Sequence, residues 1–209
     1  MTTLAGIDWS LFHSVNAGVA ARDWLEDPLT ALATLAVPLY ALATVALWFV
    51  ARPYGSARWK LACVSALVAA GIALVANQAI AEVWARPRPF VTHASATHLL
   101  AAPSADPSFP SDHAAAAFAI AFVVLAFSRS VGFGFLAGAT LIGLSRIALG
   151  LHYPSDVLAG MLVGFAAAML VVRLGGRWIA RAVAVVSRVS DPLLKAVWDQ
   201  IASLSPVRR

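Results

Sequence analysis

The chain has 209 residues, 61% of them hydrophobic and only 12% charged, with a mean hydropathy of +0.81. Soluble domains carry roughly 25% charged and 45–50% apolar residues, so the composition excludes a soluble globular class and places the chain in a bilayer. The formal charge is +5, and the single cysteine, Cys63, excludes an internal disulfide and reads as a small buried hydrophobe in an apolar run.

In chain order, the opening MTTLAGIDWS has no basic residues ahead of an apolar stretch, so a cleaved signal peptide is not expected. Leu4, Ile7, Leu11, Val15 and Val19 recur at helical spacing, with Asp8 and His13 off the stripe, which predicts an amphipathic interfacial helix within residues 1–24. Five apolar segments follow, at 29–50, 61–81, 113–127, 131–149 and 157–172. The first two are charge-free and the last three shorter but bounded by polar hinges, against a requirement of about 20 residues per helical span. Gly134 with Gly138 and Gly160 with Gly164 fit the small-xxx-small pattern of close helix packing. In the tail, Arg177, Arg181 and Arg188 share a face opposite Ile179, Val183 and Val186, so residues 175–209 read as a basic helix on the membrane surface. The expected fold is an all-α integral membrane protein. It is one domain over 1–209, a compact bundle of about five to six transmembrane helices (25–174) flanked by interfacial helices.

With five spans, one side of the membrane holds the loop 51–60, the turn 128–130 and the tail, and with them 11 of the 15 Lys and Arg residues. The other side holds Arg22, Arg86, Arg88 and Arg146 and 8 of the 10 acids. The positive-inside rule assigns the first side to the cytoplasm. By the same parity RPRPF (86–90), PSDH (110–113) and SRIALGLHYPSD (145–156) all emerge on the opposite face. Charged groups at the rim of a bundle are costly and mark function.

Arginine presents a planar fork of donors to phosphate oxygens, and a helix start offers free N–H groups and a favourable dipole. Each PSD tripeptide reads as a helix start, with Pro110 or Pro154 breaking the preceding structure, Ser111 or Ser155 capping, and an acid in the first turn. The converging groups predict a pocket for a phosphate-bearing anion. His152 and Asp156 stand four residues apart, so the carboxylate can hold one ring nitrogen and leave the other as base or nucleophile. His113 is placed to give a proton to a leaving oxygen.

These clusters resemble the signature of the type 2 phosphatidic acid phosphatase superfamily, integral membrane lipid phosphatases that share their site with the vanadium haloperoxidases. The resemblance covers roughly residues 77–160: Arg88-Pro89 fits the end of the first motif, Pro110-Ser111-x-His113 the second, and Ser145-Arg146 followed by His152 and Asp156 the third. RPRPF and FPSDHA are most similar to the bacterial undecaprenyl-pyrophosphate phosphatases. The resemblance implies His152 as a nucleophile forming a phosphohistidine, Asp156 orienting it and His113 as the acid. Arg88, Arg146 and Ser111 would hold phosphoryl oxygens, with no metal and no cofactor. Two positions depart from the pattern. Ala81 stands where the first motif begins with lysine, with Arg86 expected to supply the missing charge, and Asp112 stands where glycine is common between serine and histidine.

The expected substrate is a lipid pyrophosphate, undecaprenyl pyrophosphate by this resemblance, whose tail stays in the bilayer of a bacterial cytoplasmic membrane while its head enters from the extracytoplasmic face. The loop 91–107, with His93, His98, Ser95, Ser104 and Asp106, is placed to cover that site. No nucleic-acid partner is expected. The alternatives are another lipid phosphate such as phosphatidic acid or phosphatidylglycerol phosphate, a membrane anion transporter, and a metal site built from His113, His152 and Asp156.

Overall fold

A computed structural model describes residues 3–204, with side chains to residue 200; the ends of the expected N-terminal helix (1–2) and basic tail (205–209) lie outside the described residues. The described residues form helices without strands: α1 (Leu4–Ala20), α2 (Asp23–Val50), α3 (Arg58–Val83), the single turn α4 (Pro89–Thr92), a 3₁₀ turn (Ala94–Ala96), α5 (Asp112–Phe127), α6 (Arg129–Ala148), α7 (Pro154–Leu174) and α8 (Gly176–Leu204). Four of these, α2, α3, α6 and α7, are long and apolar enough to cross a membrane. The fifth expected span, α5, has 16 residues.

Sequence explains why the shortest of these helices sits in the middle. From Ala114 to Val124, α5 is apolar on every side and buries nine side chains, the pattern of a helix surrounded by protein. It packs against α3, α6 and α7. Glycines on α7 allow the closest approach, since a Cβ at Gly160 would stand 2.5 Å from the Ser111 carbonyl oxygen and one at Gly164 2.5 Å from that of Ala115. The other expected small-residue pair behaves differently. Gly138 lies against the Tyr40 ring, while Gly134 faces open space. Tyr40 of α2 ties three helices together, its hydroxyl lying 3.0 Å from the Ala117 carbonyl oxygen and 2.9 Å from that of Phe135.

The N-terminal helix docks through the face opposite its apolar stripe. Leu4, Ile7, Leu11 and Val15 are exposed, whereas Phe12 and Asn16 are fully buried. Asn16 donates to the carbonyls of His98 (2.8 Å) and Ala148 (2.9 Å) and accepts from the His98 N–H (2.9 Å), so one side chain fastens α1 to the loop before α5 and to the end of α6. At the other end of the bundle α8 is joined to the core. Ile179 and Val183 are buried, and the Lys60 ammonium pairs with Asp191. Val186, expected on the same apolar face, is about half exposed. The Arg58 guanidinium closes the C-terminus of α5 by donating to the Phe127 carbonyl, where the helix dipole favours a cation.

Candidate active site

The three motif clusters meet at one end of the bundle, where α3 ends, α5 and α7 begin and α6 ends. Each polar side chain is placed by a helix terminus. Ser111 is the N-cap residue of α5, so Asp112 and His113 fall in its first turn, and Arg146 occupies the last turn of α6. At α7 the start differs from the expected one. Tyr153 is the N-cap residue, Pro154 opens the helix, and Asp156 accepts the Tyr153 N–H at 2.8 Å, while Ser155 lies inside the first turn.

A cavity of about 310 Å³ opens here, with Arg88, Arg146, His113, His152, Asp112 and Gln78 in its lining. Arg88 is buried and its fork is fixed on three sides: Nε donates to the Asp106 carbonyl (2.8 Å), and Nη1 donates to the Leu151 carbonyl (3.1 Å) and lies 3.2 Å from His152 Nε2. Burial lowers its affinity for the proton below that of a free guanidinium, against the pull of Asp106, Asp156 and Asp112, but arginine stays charged in proteins. Arg146, also buried, donates to the Ala33 carbonyl (3.2 Å) and to Ser145 Oγ (3.3 Å). His113 is exposed to the cavity and makes no hydrogen bond among the described residues. Ser111, expected to hold phosphoryl oxygens, does not line the cavity: its Oγ is fully buried and has no partner among the described residues, and its N–H donates to the Asp156 carbonyl at 3.0 Å.

His152 is held differently from the expected pair. Its Nδ1 lies 2.7 Å from the backbone carbonyl of Ser108 and 3.8 Å from Asp156 Oδ2. The shorter contact is a hydrogen bond and the longer one is not. One tautomer satisfies both ring contacts: Nδ1–H donates to Ser108, and Nε2 keeps its lone pair toward Arg88 and the cavity. Asp156, buried, accepts from Ser108 Oγ at 2.5 Å. Ser108 thus joins the acid to the imidazole, its hydroxyl on one and its carbonyl on the other. Sequence reasoning missed Ser108, since it stands outside all three motifs and its partners lie 44 and 48 residues away.

Arg86 does not line the cavity. Its guanidinium turns behind the site, donating to Asp156 Oδ1 (2.8 Å), Ser155 Oγ (2.7 Å) and Asp8 Oδ2 (2.7 Å), and it lies over the Tyr153 ring with 3.9 Å to the centroid. The wall where the first motif would carry lysine is the methyl group of Ala81. Burial disfavours the charge of Arg86, but Asp8 and Asp156 outweigh it and hold its proton more firmly than on a free arginine. Asp112, the other departure, is met by two amides, Asn77 Nδ2 at 2.9 Å and Gln78 Nε2 at 3.1 Å. The loop over the site is pinned to α1 and α6: His93 stacks on Trp9 at 3.8 Å, and the Leu100 N–H donates to the Leu149 carbonyl. His93 and His98 anchor this loop, while Ser104 and Asp106 reach the cavity.

A second cavity, of about 320 Å³, adjoins the first and shares Asp112 and His113 with it. Its walls are apolar side chains of α2, α3 and α5, including Val37, Leu67, Leu74 and Ile120. Together the two offer a cationic, histidine-bearing chamber and an apolar groove, meeting at Asp112 and His113.

Residues 59–180 match the PAP2 superfamily. The chain is 31% identical over 167 residues to undecaprenyl-diphosphatase BcrC of Bacillus subtilis, covering 80% of this chain and 83% of that protein. Its fold is similar to the crystal structure of Aquifex aeolicus LpxE, with TM-score 0.66 and 26% identity over 80% of this chain and 95% of the other. It is also similar to a transmembrane PAP2 type phosphatidylglycerolphosphate phosphatase from Bacillus subtilis, with TM-score 0.60 and 24% identity over 84% and 88% of the two chains. With Arg88, His113, Arg146 and His152 gathered at one cavity and most of the chain matched in sequence and fold, the protein belongs to the PAP2 superfamily and is a multi-pass membrane phosphatase.

Proposed function

We propose that the protein hydrolyses undecaprenyl pyrophosphate to undecaprenyl phosphate and inorganic phosphate. The observation that carries this reading is the junction of the cationic cavity with the apolar groove at Asp112 and His113, which suits a lipid whose phosphorylated head and hydrocarbon tail need different surroundings. Kinship with an undecaprenyl-diphosphatase over four fifths of the chain favours the isoprenoid pyrophosphate among such lipids.

In the proposed mechanism His152 Nε2 attacks the terminal phosphorus. Arg88 Nη1, now against that nitrogen, transfers its donation to a phosphoryl oxygen, joined by Arg146, and their charge stabilises the pentacoordinate state. The bond from phosphorus to the bridging oxygen breaks, and His113 gives its proton to the departing undecaprenyl phosphate. His113 then takes a proton from water as the water attacks the phosphohistidine. The P–N bond breaks, phosphate leaves, and both imidazoles return to their starting state. The arginines carry the charge compensation, so the scheme contains no metal. The excess of basic residues at the opposite end of the bundle supports a site on the extracytoplasmic face of a bacterial inner membrane.

The test is phosphate release by the detergent-purified protein with chelator present, comparing undecaprenyl pyrophosphate with phosphatidic acid and wild type with His152→Ala. Release that prefers the isoprenoid, survives chelation and falls at least about 10⁴-fold without His152 is the expected result. Preference for phosphatidic acid would overturn the substrate, and full activity of His152→Ala would overturn the mechanism.

A further inference from the structure

We infer that Asp8, in the N-terminal helix and outside the segment that matches the superfamily, is a positioning residue of the site, fixing through Arg86 the carboxylate of Asp156 and with it the imidazole of His152. The inference rests on His152 being the reacting group.

The contacts form a continuous chain. Asp8 accepts the Ser155 N–H (2.9 Å), the Ser155 hydroxyl (2.5 Å) and Arg86 Nη2 (2.7 Å). Arg86 Nη1 reaches Asp156 Oδ1, Asp156 Oδ2 takes the Ser108 hydroxyl, and the Ser108 carbonyl holds His152 Nδ1. The Ser108 N–H also donates to the Arg86 carbonyl at 2.8 Å, which closes the chain into a ring of bonds. Charge alternates along it: Asp156 negative, Arg86 positive, Asp8 negative. A guanidinium with only Asp156 as its carboxylate partner would be free to pivot over the Tyr153 ring. With both carboxylates on different nitrogens its plane is set, and so is the oxygen of Asp156 that it binds. Displacement of a reacting group by about 1 Å costs on the order of 10²-fold in rate.

The position of Asp8 is independent of the contacts it makes. Phe12 and Asn16 are fully buried, Asn16 bonds the loop and α6, and Trp9 stacks on His93. Replacing Asp8 therefore leaves α1 docked and removes only the acceptors. An asparagine keeps the shape but offers one acceptor oxygen where the carboxylate offers two, and carries no charge.

The other charged and titratable groups around His152 are Arg88 before α4, Asp106 in the loop, Asp112 and His113 of α5, Arg146 of α6 and Asp156 of α7. Asp8→Asn and Arg86→Gln leave all of these in place, so the two variants differ at His152 by the sign of the charge removed. In full-length protein, assayed on undecaprenyl pyrophosphate or on phosphatidic acid if the wild type prefers it, each should lower kcat about 10- to 100-fold with KM within about twofold. The acid limb of the kcat/KM profile should move to lower pH in Asp8→Asn, where a negative charge is lost, and to higher pH in Arg86→Gln. Arg86→Lys should restore the limb toward wild type. A purely structural role would lower the active fraction and melting temperature without moving the limbs in opposite directions. Limbs that coincide with wild type, or move the same way, would overturn the inference. His152→Ala in the same series separates the two failures, since activity in that variant would mean that the underlying reading is at fault.

Discussion

Each end of the bundle buries a charge pair, and the two are built from similar parts. At the site end Arg86 lies between Asp8 and Asp156; at the other end Lys60 is paired with Asp191, with Ser187 Oγ 3.2 Å away and the Trp48 ring 5.3 Å away. The Lys60 pair ends in contacts that anchor α8, and the Asp191 carboxylate also accepts the Tyr54 N–H. The Arg86 pair ends in an imidazole whose second nitrogen faces a cavity holding two more arginines. Buried ionic contacts alone therefore do not mark a site. The distinction lies in whether the chain of bonds delivers a reactive atom to open space.

The sharpest way to break the comparison is to remove a cation from each end. Arg146→Ala takes away a guanidinium that faces the cavity, so kcat/KM should fall about 10²- to 10³-fold while the thermal unfolding curve in detergent shifts little. Lys60→Ala leaves Asp191 buried without its partner and should destabilise the protein by about 3–5 kcal/mol, while kcat per folded molecule stays at the wild-type value. Thermal melting together with active-site titration reads both. Similar losses of kcat in the two variants would erase the distinction between the ends.

Smaller effects sharpen it. Gly164→Leu drives a side chain against the α5 backbone, where even a Cβ would stand 2.5 Å from the Ala115 carbonyl oxygen. A loss of about 1–3 kcal/mol is expected, and activity should fall as well, because α5 carries His113. Burial alone would raise the proton affinity of the Asp191 carboxyl, but Lys60 and the Tyr54 N–H outweigh it and hold it below its ordinary value. A lowered value in the folded state means that this pair's stabilisation is complete above the ordinary carboxylate range and is lost as the pH falls below it. Acid should thus weaken the α8 anchor, and the wild type should lose more stability than a Lys60→Met/Asp191→Leu double variant over the same range. Tyr40→Phe removes one hydroxyl shared between two helix carbonyls and should cost about 1 kcal/mol, with kcat unchanged.

The cavity-facing groups were legible in the sequence because motif spacing and span parity bring Arg88, Arg146, His113 and His152 to one rim. Their supports were not. Ser108 meets Asp156 across 48 positions, Asp8 meets Ser155 across 147, and Asn77 meets Asp112 across 35, distances that no local period encodes. Arg86 shows the limit most clearly. Two residues from Arg88 in the chain, it faces the other way, drawn to Asp8 and Asp156 where a two-residue strand period would have put both arginines on one side. In α1 the apolar stripe was legible, but its counterpart, the docking face of Asp8, Phe12 and Asn16, carries mixed chemistry and has no hydrophobic signal of its own. The central position of α5 follows from its all-round apolar surface. Its closeness to α7 rests on Gly160 and Gly164, whereas the equally spaced Gly134 packs against nothing.

The attachment of α1 has a consequence for biogenesis. Asn16 holds carbonyls 82 and 132 positions further along, and Asp8 binds a residue 147 positions away, so the partners of α1 are complete only once the start of α7 has been made. A nascent chain that stops short of Ser155 already carries Arg88 and Arg146, but it has neither Asp156 nor a place for Asp8 to dock. Competence therefore arrives in one late step, when the start of α7 captures the waiting α1.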